Sequence, residues 1–322
     1  MNIIIAESVS KKKQNPALLL IYSILCFYCL GAVMMINFCD YPSFDRIHEN
    51  VTQVFGIFSR KVVVIYYVPA VLLFFCTASL WFYTPKTIPK WVFWVSLLFS
   101  FSAVIIILFV LMPAQPYLVS KGFDGIVKNR LITLSLYFQV IPAWLQAFLA
   151  FFILNAYFKN VNPFNRILFI GVFALVFYLV GADNVEKFIN YPIWTVVCPS
   201  DWLSFRASVP IAQFLSIYVV PGFFPVFLLI PMFWWRPQGI TKTFVFIVLL
   251  PELWACIVTG NYFVPEIQEP LLKTYSLPLI EELIKDEFPL RSTALIMLIV
   301  VTAILFLRVA RHSQNTVWNT VE

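Results

Sequence analysis

The sequence predicts an all-α integral membrane protein with eight transmembrane helices, arranged as two parallel four-helix repeats. Three observations support this prediction. Hydrophobic residues make up 61% of the chain and charged residues 12%, whereas soluble domains are roughly half apolar and about a quarter charged. Eight segments reach the length of about 20 mostly apolar residues that a membrane-spanning helix needs. Short motifs also recur in the same order in the two halves of the chain.

The eight apolar segments are separated by polar connections. Their approximate bounds are 17–38, 62–84, 91–112, 131–158, 165–182, 211–235, 242–264 and 292–310. The first is too long for the apolar part of a signal peptide and lacks a small-residue cleavage site. We therefore expect it to be a retained membrane anchor.

Charge placement predicts the orientation of the bundle. Eight spans put both termini on the same side of the membrane, and basic residues flank the first and last spans at Lys11, Lys12, Lys13, Arg308 and Arg311. Cytoplasmic loops are rich in such residues, so both termini are expected in the cytoplasm of a plasma or inner-membrane protein. The long connections at about 39–61, 113–130, 183–210 and 265–291 then face outward. The net charge of +6 follows this topology, and we predict a lipid bilayer and no nucleic acid as partners.

An internal repeat is indicated by matched residues at a nearly constant separation. "CDYPSF" is followed 150 residues later by "INYPIW", and later matches lie 152 and finally 161 residues apart. The matched residues are Tyr41 with Tyr191, Pro69 with Pro221, Pro113 with Pro265, and Arg130 with Arg291. Four spans per copy is an even number, so the copies run in the same direction about an axis along the membrane normal.

The repeat divides the chain into five predicted segments. They are a cytoplasmic N-terminal segment (1–16), a first four-helix repeat (17–158), an inner linker (159–164), a second four-helix repeat (165–311) and a cytoplasmic tail (312–322).

The residue inventory excludes several chemistries. His48 and His312 are the two histidines of the chain, too few for bis-histidine haem or three-histidine zinc sites. We therefore predict neither a metal nor a cofactor. Cys39 and Cys198 follow matching spans and could form a disulfide between the halves, and "NVT" at Asn50 fits the glycosylation pattern on the outer side.

Glu252 stands out because it lies near the middle of the seventh span, in "LLPELWAC". A charged carboxylate there costs at least about 2.5 to 3.5 kcal/mol, so such residues face the protein interior and often mark function. Since desolvation without a countercharge disfavours the ionised form, we expect Glu252 to be protonated. By depth in the membrane, Gln146 in the fourth span is the best hydrogen-bond partner. Two interpretations stay open, a structural hydrogen bond between helices and a ligand-binding or proton-handling acid.

The repeat interface is the natural place for an outward-opening apolar pocket. The sixth span holds Pro221, Pro225 and Pro231, and interrupted helices are tolerated where they line a cavity. His48 lies near the expected mouth, and it has a pKa suited to acid–base work near neutrality. A lone histidine in a loop is also often only solvated.

Each half resembles the four-helix membrane proteins grouped with the anthrone oxygenases. The first half carries "DYPSF", "IHENV" and "NRLIT", and the second half carries "NYPIW", "DWLSF" and "LRST". Enzymes of that group oxidise lipophilic aromatic compounds with dioxygen and without a metal. The resemblance implies a role for His48 in the first half, where the second half offers only Arg206 or Asp201.

The leading hypothesis is therefore a membrane protein that binds a small lipophilic molecule and, by the resemblance, oxidises it. Glu252 would lie deep in the pocket, His48 near its mouth, and Gln146, Arg130, Arg291 and Arg206 would contact the ligand. An accessory subunit of a larger membrane protein complex is the alternative class. A transporter is the third.

Overall fold

The computed structural model of the chain describes residues 15–83, 88–121 and 125–318. All regular elements within these ranges are helical, and eight helices are long and apolar enough to cross a membrane. The spans are Pro16–Phe44 (span 1), Val51–Phe82 (span 2), Lys90–Ser120 (span 3), Asn129–Tyr157 (span 4), Pro163–Trp194 (span 5), Ile211–Met232 (span 6), Lys242–Lys273 (span 7) and Leu277–Ser313 (span 8). The predicted all-α class with eight spans is thus confirmed at this level. Most of the predicted N-terminal segment, including Lys11, Lys12 and Lys13, lies outside the described residues.

Several spans are longer than predicted, because the outer connections continue as helix. Span 5 runs to Trp194 instead of residue 182, and span 8 begins at Leu277 instead of residue 292. The added turns contain charged residues that a search for apolar runs treats as loop. In the structure two of these charged residues pair between the helices, with Arg291 Nη2 2.7 Å from Asp183 Oδ1.

Each span contains one segment of π-helix, a wider turn with hydrogen bonds from residue i to i+5. These segments are Ile36–Asp40, Val63–Tyr67, Ile107–Leu111, Leu136–Val140, Glu186–Asn190, Leu215–Val219, Thr259–Gln268 and Phe288–Ser292. The last four begin 150 or 152 residues after the first four. Such turns are rare and often occur at functional sites.

Proline explains most of these wide turns. In seven of the eight spans a proline lies six residues after the start of the π segment, as Pro42, Pro69 and Pro113 do in spans 1, 2 and 3. A proline ring clashes with the carbonyl group four residues earlier and offers no N–H donor. A wider turn at that place relieves the clash while the backbone stays helical. Span 6 is a continuous helix that also contains Pro225 and Pro231 without a further π segment, so the expectation that its prolines interrupt it is wrong.

Spans 1 and 5 form the centre of the bundle and cross at two glycines. A Cβ atom at Gly31 would lie 1.9 Å from the carbonyl oxygen of Tyr178, and one at Gly181 would lie 2.0 Å from that of Tyr28. Small residues of this kind let two membrane helices approach closely. The two tyrosine hydroxyls each donate a 2.8 Å hydrogen bond to a carbonyl oxygen in a π segment, Tyr28 to Ile65 and Tyr178 to Ile217.

A short helix, Pro199–Ala207, connects spans 5 and 6 and ties the two halves together at one end. Asp201 Oδ2 accepts hydrogen bonds from the backbone N–H groups of His48 and Glu49, at 2.8 and 2.9 Å. Trp202 is fully buried, and its Nε1 donates to the carbonyl oxygen of Leu271 at 2.8 Å. This end of the bundle is the one that the charge pattern assigns to the outer face.

Candidate functional site

A cavity lies at this same end, between the end of span 1 and the second half of the chain. Its volume is about 460 Å³, within the usual range for a small-molecule site. Span 1 contributes one wall through Cys39, Asp40, Ser43 and Phe44. Spans 5 to 8 and the helix Pro199–Ala207 with the residues after it form the rest.

The cavity walls combine aromatic rings with a few buried charges. The aromatic residues are Phe44, Tyr191, Trp194, Phe205, Phe214, Tyr218, Phe223 and Phe263. The charged residues are Asp40, Glu186, Arg206 and Arg291. Lipophilic ligand sites are built in this way, with apolar walls and a small number of placed polar groups.

A smaller cavity of about 70 Å³ extends from the large one to Glu252. Both cavities are lined by Tyr218, Val219, Phe223, Thr259 and Arg291, so they lie next to each other. Glu252 is 1% exposed, and neither of its carboxyl oxygens has a hydrogen-bond partner among the described residues.

Arg291 lies where the two cavities meet and is held by two acids. Its Nη2 lies 2.7 Å from Asp183 Oδ1, and its Nε lies 3.0 Å from Glu287 Oε1. The same Nη2 donates to the hydroxyl of Tyr218 at 2.9 Å, and that hydroxyl donates to Asp183 Oδ1 at 2.6 Å. The guanidinium therefore has a fixed position, with its charge balanced by carboxylates on spans 5 and 8.

Arg206 is the second cation of the large cavity and is partly buried. Its guanidinium lies 4.2 Å from the ring centroid of Trp194, and its Nη2 donates to Gln268 Oε1 at 2.9 Å. Burial lowers the pKa of Arg206 below its ordinary value, and the nearby carboxylate of Glu186 acts in the opposite direction. Its Nε has no partner among the described residues.

Asp40 lies on the opposite wall and is 2% exposed. Its carboxyl oxygens have no hydrogen bond of standard geometry, although the amide of Asn190 acts on the carboxyl group as a donor. The nearest groups include Asn190, whose Nδ2 donates to Glu186 Oε2 at 2.8 Å. Glu186 is close enough for its charge to act on Asp40.

The predicted hydrogen bond between Glu252 and Gln146 is wrong. Gln146 is engaged in the first half, where its Oε1 accepts from Ser96 Oγ at 2.6 Å and its Nε2 donates to the carbonyl oxygen of Ser96 at 2.5 Å. The Tyr22 hydroxyl also donates to Gln146 Oε1, at 3.4 Å. Depth in the membrane matched Gln146 with Glu252, but it does not indicate which neighbouring helix each side chain faces.

His48 and Arg130 are exposed, and neither lines either of these two cavities. His48 follows the end of span 1, where its backbone N–H donates to Asp201 Oδ2, and it is not among the residues that line the large cavity. The expectation that His48 and Glu252 border one connected pocket is therefore wrong. Of the predicted ligand-contacting residues, Arg206 and Arg291 line the cavity and Gln146 and Arg130 do not.

The suggested disulfide between Cys39 and Cys198 is also wrong, because all six cysteines are free thiols. Cys39 is buried in the cavity wall. Cys198 instead lies beside the connection after span 1, with its Sγ donating to Glu49 Oε2 at 3.0 Å.

Sequence reasoning missed Asp40, Tyr218 and Glu287 as parts of this site. Asp40 and Glu287 lie in stretches taken as outer connections, although both are within helices that extend past their apolar cores. The sequence did offer one signal, the spacing of charged residues. Asp183 and Glu186 lie three residues apart, and Glu287 and Arg291 lie four residues apart. These spacings place side chains on one face of a helix.

No group of three or more histidine, cysteine, aspartate or glutamate side chains in the described ranges is placed to hold a metal ion. No protein-family model matches the chain, and neither the curated proteins nor the solved structures provide a match.

Proposed function

We propose that the protein binds a small lipophilic molecule in the cavity between span 1 and the second half of the chain. The observation that carries this proposal is a cavity of about 460 Å³ with aromatic walls and a buried carboxyl group without a hydrogen bond of standard geometry within the described residues, Asp40. A buried polar group without a hydrogen bond costs about 1 to 3 kcal/mol. A bound molecule with a donor group would remove that cost.

The proposal includes a tandem origin of the two halves. The positions of the π segments support it, because each in the second half follows its counterpart by 150 or 152 residues. The reciprocal contacts of Gly31 with Tyr178 and of Gly181 with Tyr28 support it as well. The cavity then belongs to the second copy and is completed by the end of span 1 from the first copy.

The proposal concerns binding and does not include the oxidation that the family resemblance implies. In that reaction His48 was expected to act as an acid or a base, but its exposed side chain is outside the lining of the cavity.

Native mass spectrometry of the purified full-length protein tests the proposal directly. We expect a retained lipophilic molecule in the wild type and its loss in Gly260→Phe, which fills the cavity. Gly260 lines the cavity, and a Cβ there meets no atom within 4 Å. Gly56→Phe is the matched control, because that helical glycine has equal space and is outside the cavity lining.

The proposal fails if the wild type retains no small molecule, or if both phenylalanine variants retain it equally. A co-purifying protein chain in place of a small molecule would favour the accessory-subunit class.

A further inference from the structure

The charges that line the two cavities do not balance. The lining contains four acids, Asp40, Asp183, Glu186 and Glu252, and two bases, Arg206 and Arg291. Arg291 is bound by Asp183 and by Glu287 from the adjoining wall. Arg206 interacts with the charge of Glu186.

Two lining acids remain without a basic partner, and they are the same two whose carboxyl oxygens lack hydrogen bonds. Asp40 and Glu252 are 2% and 1% exposed, and neither has a hydrogen bond of standard geometry, although the amide of Asn190 acts on Asp40 as a donor. Lys187, another base at this end, donates to Ser292 Oγ and acts on Glu287, so it does not compensate them.

The two acids differ in the volume of the cavity that each one lines. Glu252 faces the cavity of about 70 Å³, which has room for a few water molecules and not for an organic molecule. Asp40 faces the cavity of about 460 Å³. An organic ligand therefore has room in the cavity that Asp40 lines and not in the cavity that Glu252 lines.

The walls around Asp40 favour an organic cation. Aromatic rings attract cations within about 6 Å of their centroids, and Trp194 already holds the Arg206 guanidinium in this way. A metal ion would need several further ligands, and no group of three or more histidine, cysteine, aspartate or glutamate side chains in the described residues is placed to hold one.

We infer that the ligand is a lipophilic amine whose ammonium group pairs with Asp40. The inference rests on the proposed function and names its ligand class. Asp40 comes from span 1, whereas the aromatic surface for the apolar body comes mainly from spans 5 to 7. The two halves of the chain would thus supply different parts of the binding site.

Three probes with one aromatic body test the inference. They are naphthylethylamine, its N-acetyl amide and naphthylpropionate, which carry a cationic, a neutral and an anionic group. Isothermal titration calorimetry on the full-length protein in lipid nanodiscs should show the amine binding at least about tenfold more tightly than the amide, and the anion binding most weakly.

Asp40→Asn should reduce affinity for the amine by about tenfold or more and leave affinity for the amide unchanged. Glu49→Gln is the control, because Glu49 is an exposed acid at the same end and does not line the cavity. A variant that weakens all three probes equally would assign Asp40 a structural role and overturn the inference.

The order of the three probe affinities on the wild-type protein tests the amine assignment even if Asp40→Asn does not fold. Binding led by the amide or the anion overturns the amine assignment and leaves the proposed function standing. If no probe binds and no lipophilic molecule is retained in native mass spectrometry, the proposed function fails and the inference fails with it.

Discussion

At the scale of single residues, Glu252 is a buried carboxyl group in an apolar helix with no hydrogen-bond donor from the described residues. The cost of such a group is comparable to that of a lost hydrogen bond. A structural hydrogen bond between helices is therefore not its role in this arrangement. The remaining interpretation is an acid whose partner is water or a ligand group in the small cavity.

The lack of a hydrogen-bond donor from the described residues predicts that Glu252→Leu stabilises the protein. We expect the free energy of unfolding to rise by about 1 to 3 kcal/mol, because an unsatisfied polar group is replaced by an apolar one of similar size. Gln146→Leu is the comparison, since that buried side chain is bonded to Ser96 and Tyr22, and it should lower the free energy by a similar amount. Denaturant unfolding in detergent measures both, and a destabilised Glu252→Leu protein would contradict this account.

Arg291 is the opposite case, a buried charge with several partners. Arg291→Met would leave the carboxylates of Asp183 and Glu287 buried without their cation, and breaking a buried pair in this way costs about 3 to 5 kcal/mol. Adding Asp183→Asn and Glu287→Gln to the same protein should recover most of the lost stability. Thermal unfolding of the single and triple variants tests this, and equal stability of the two would show that the ion pairs are not the cause.

Sequence reasoning located Glu252 and Arg291 but did not find their surroundings. A lone acid within an apolar run is visible in any sequence, and its burial follows from the cost of charge in a membrane. The partner depends on the rotation of each helix about its axis, and a π turn within each span shifts that rotation. Arg130 shows the consequence. The repeat motifs aligned it with Arg291, which is the fourth residue of the π segment in span 8. In the π segment of span 4 the fourth residue is Gln139, not Arg130.

At the scale of elements, the prolines decide the local shape of the spans. The clash between a proline ring and the carbonyl four residues earlier predicts a disturbance at a known place in seven spans. The sequence does not indicate whether the disturbance is a break, a kink or a π turn. Neighbouring groups contribute to the outcome here, since the hydroxyls of Tyr28 and Tyr178 bind carbonyl oxygens in the π segments of spans 2 and 6.

The crossing of spans 1 and 5 leads to a prediction about its two glycines. A methyl group at Gly31 or Gly181 would lie about 2 Å from a backbone oxygen, and backbone cannot yield as a side-chain end can. Gly31→Ala and Gly181→Ala should each destabilise the fold by about 1 to 3 kcal/mol or more. Thermal unfolding in detergent measures the loss.

Gly56→Ala is the control for this pair, because nothing lies within 4 Å of its Cβ position. It should raise stability by about 1 kcal/mol, the usual gain of alanine over glycine in a helix. Equal effects at Gly56 and Gly31 would mean that the helix crossing is looser than the structure shows.

At the scale of the whole molecule, composition and span count indicated the fold class and the repeat suggested a pocket at its interface, while most of the residues that line the cavity could not be foreseen. Eight apolar runs are a property of the chain alone. The cavity depends on the end of span 1 approaching the second half, and Asp201 helps to fix that approach by binding the backbone N–H groups of His48 and Glu49. A contact across about 150 residues leaves no local pattern, so Asp40 was read as part of a repeat motif and not as a cavity residue.

The orientation of the bundle gives the last prediction. Eight spans place the connection after span 1 and the connection after span 4 on opposite faces, and the positive-inside rule puts the first of these outside. Glu49 and Asn160 are exposed residues in these two connections. In a background with the six cysteines replaced by alanine, a membrane-impermeant maleimide should label Glu49→Cys in intact cells. It should label Asn160→Cys only after permeabilisation.

Labelling of both variants in intact cells would contradict the span count. The reverse pattern would mean that the bundle is inverted and that the mouth of the cavity faces the cytoplasm.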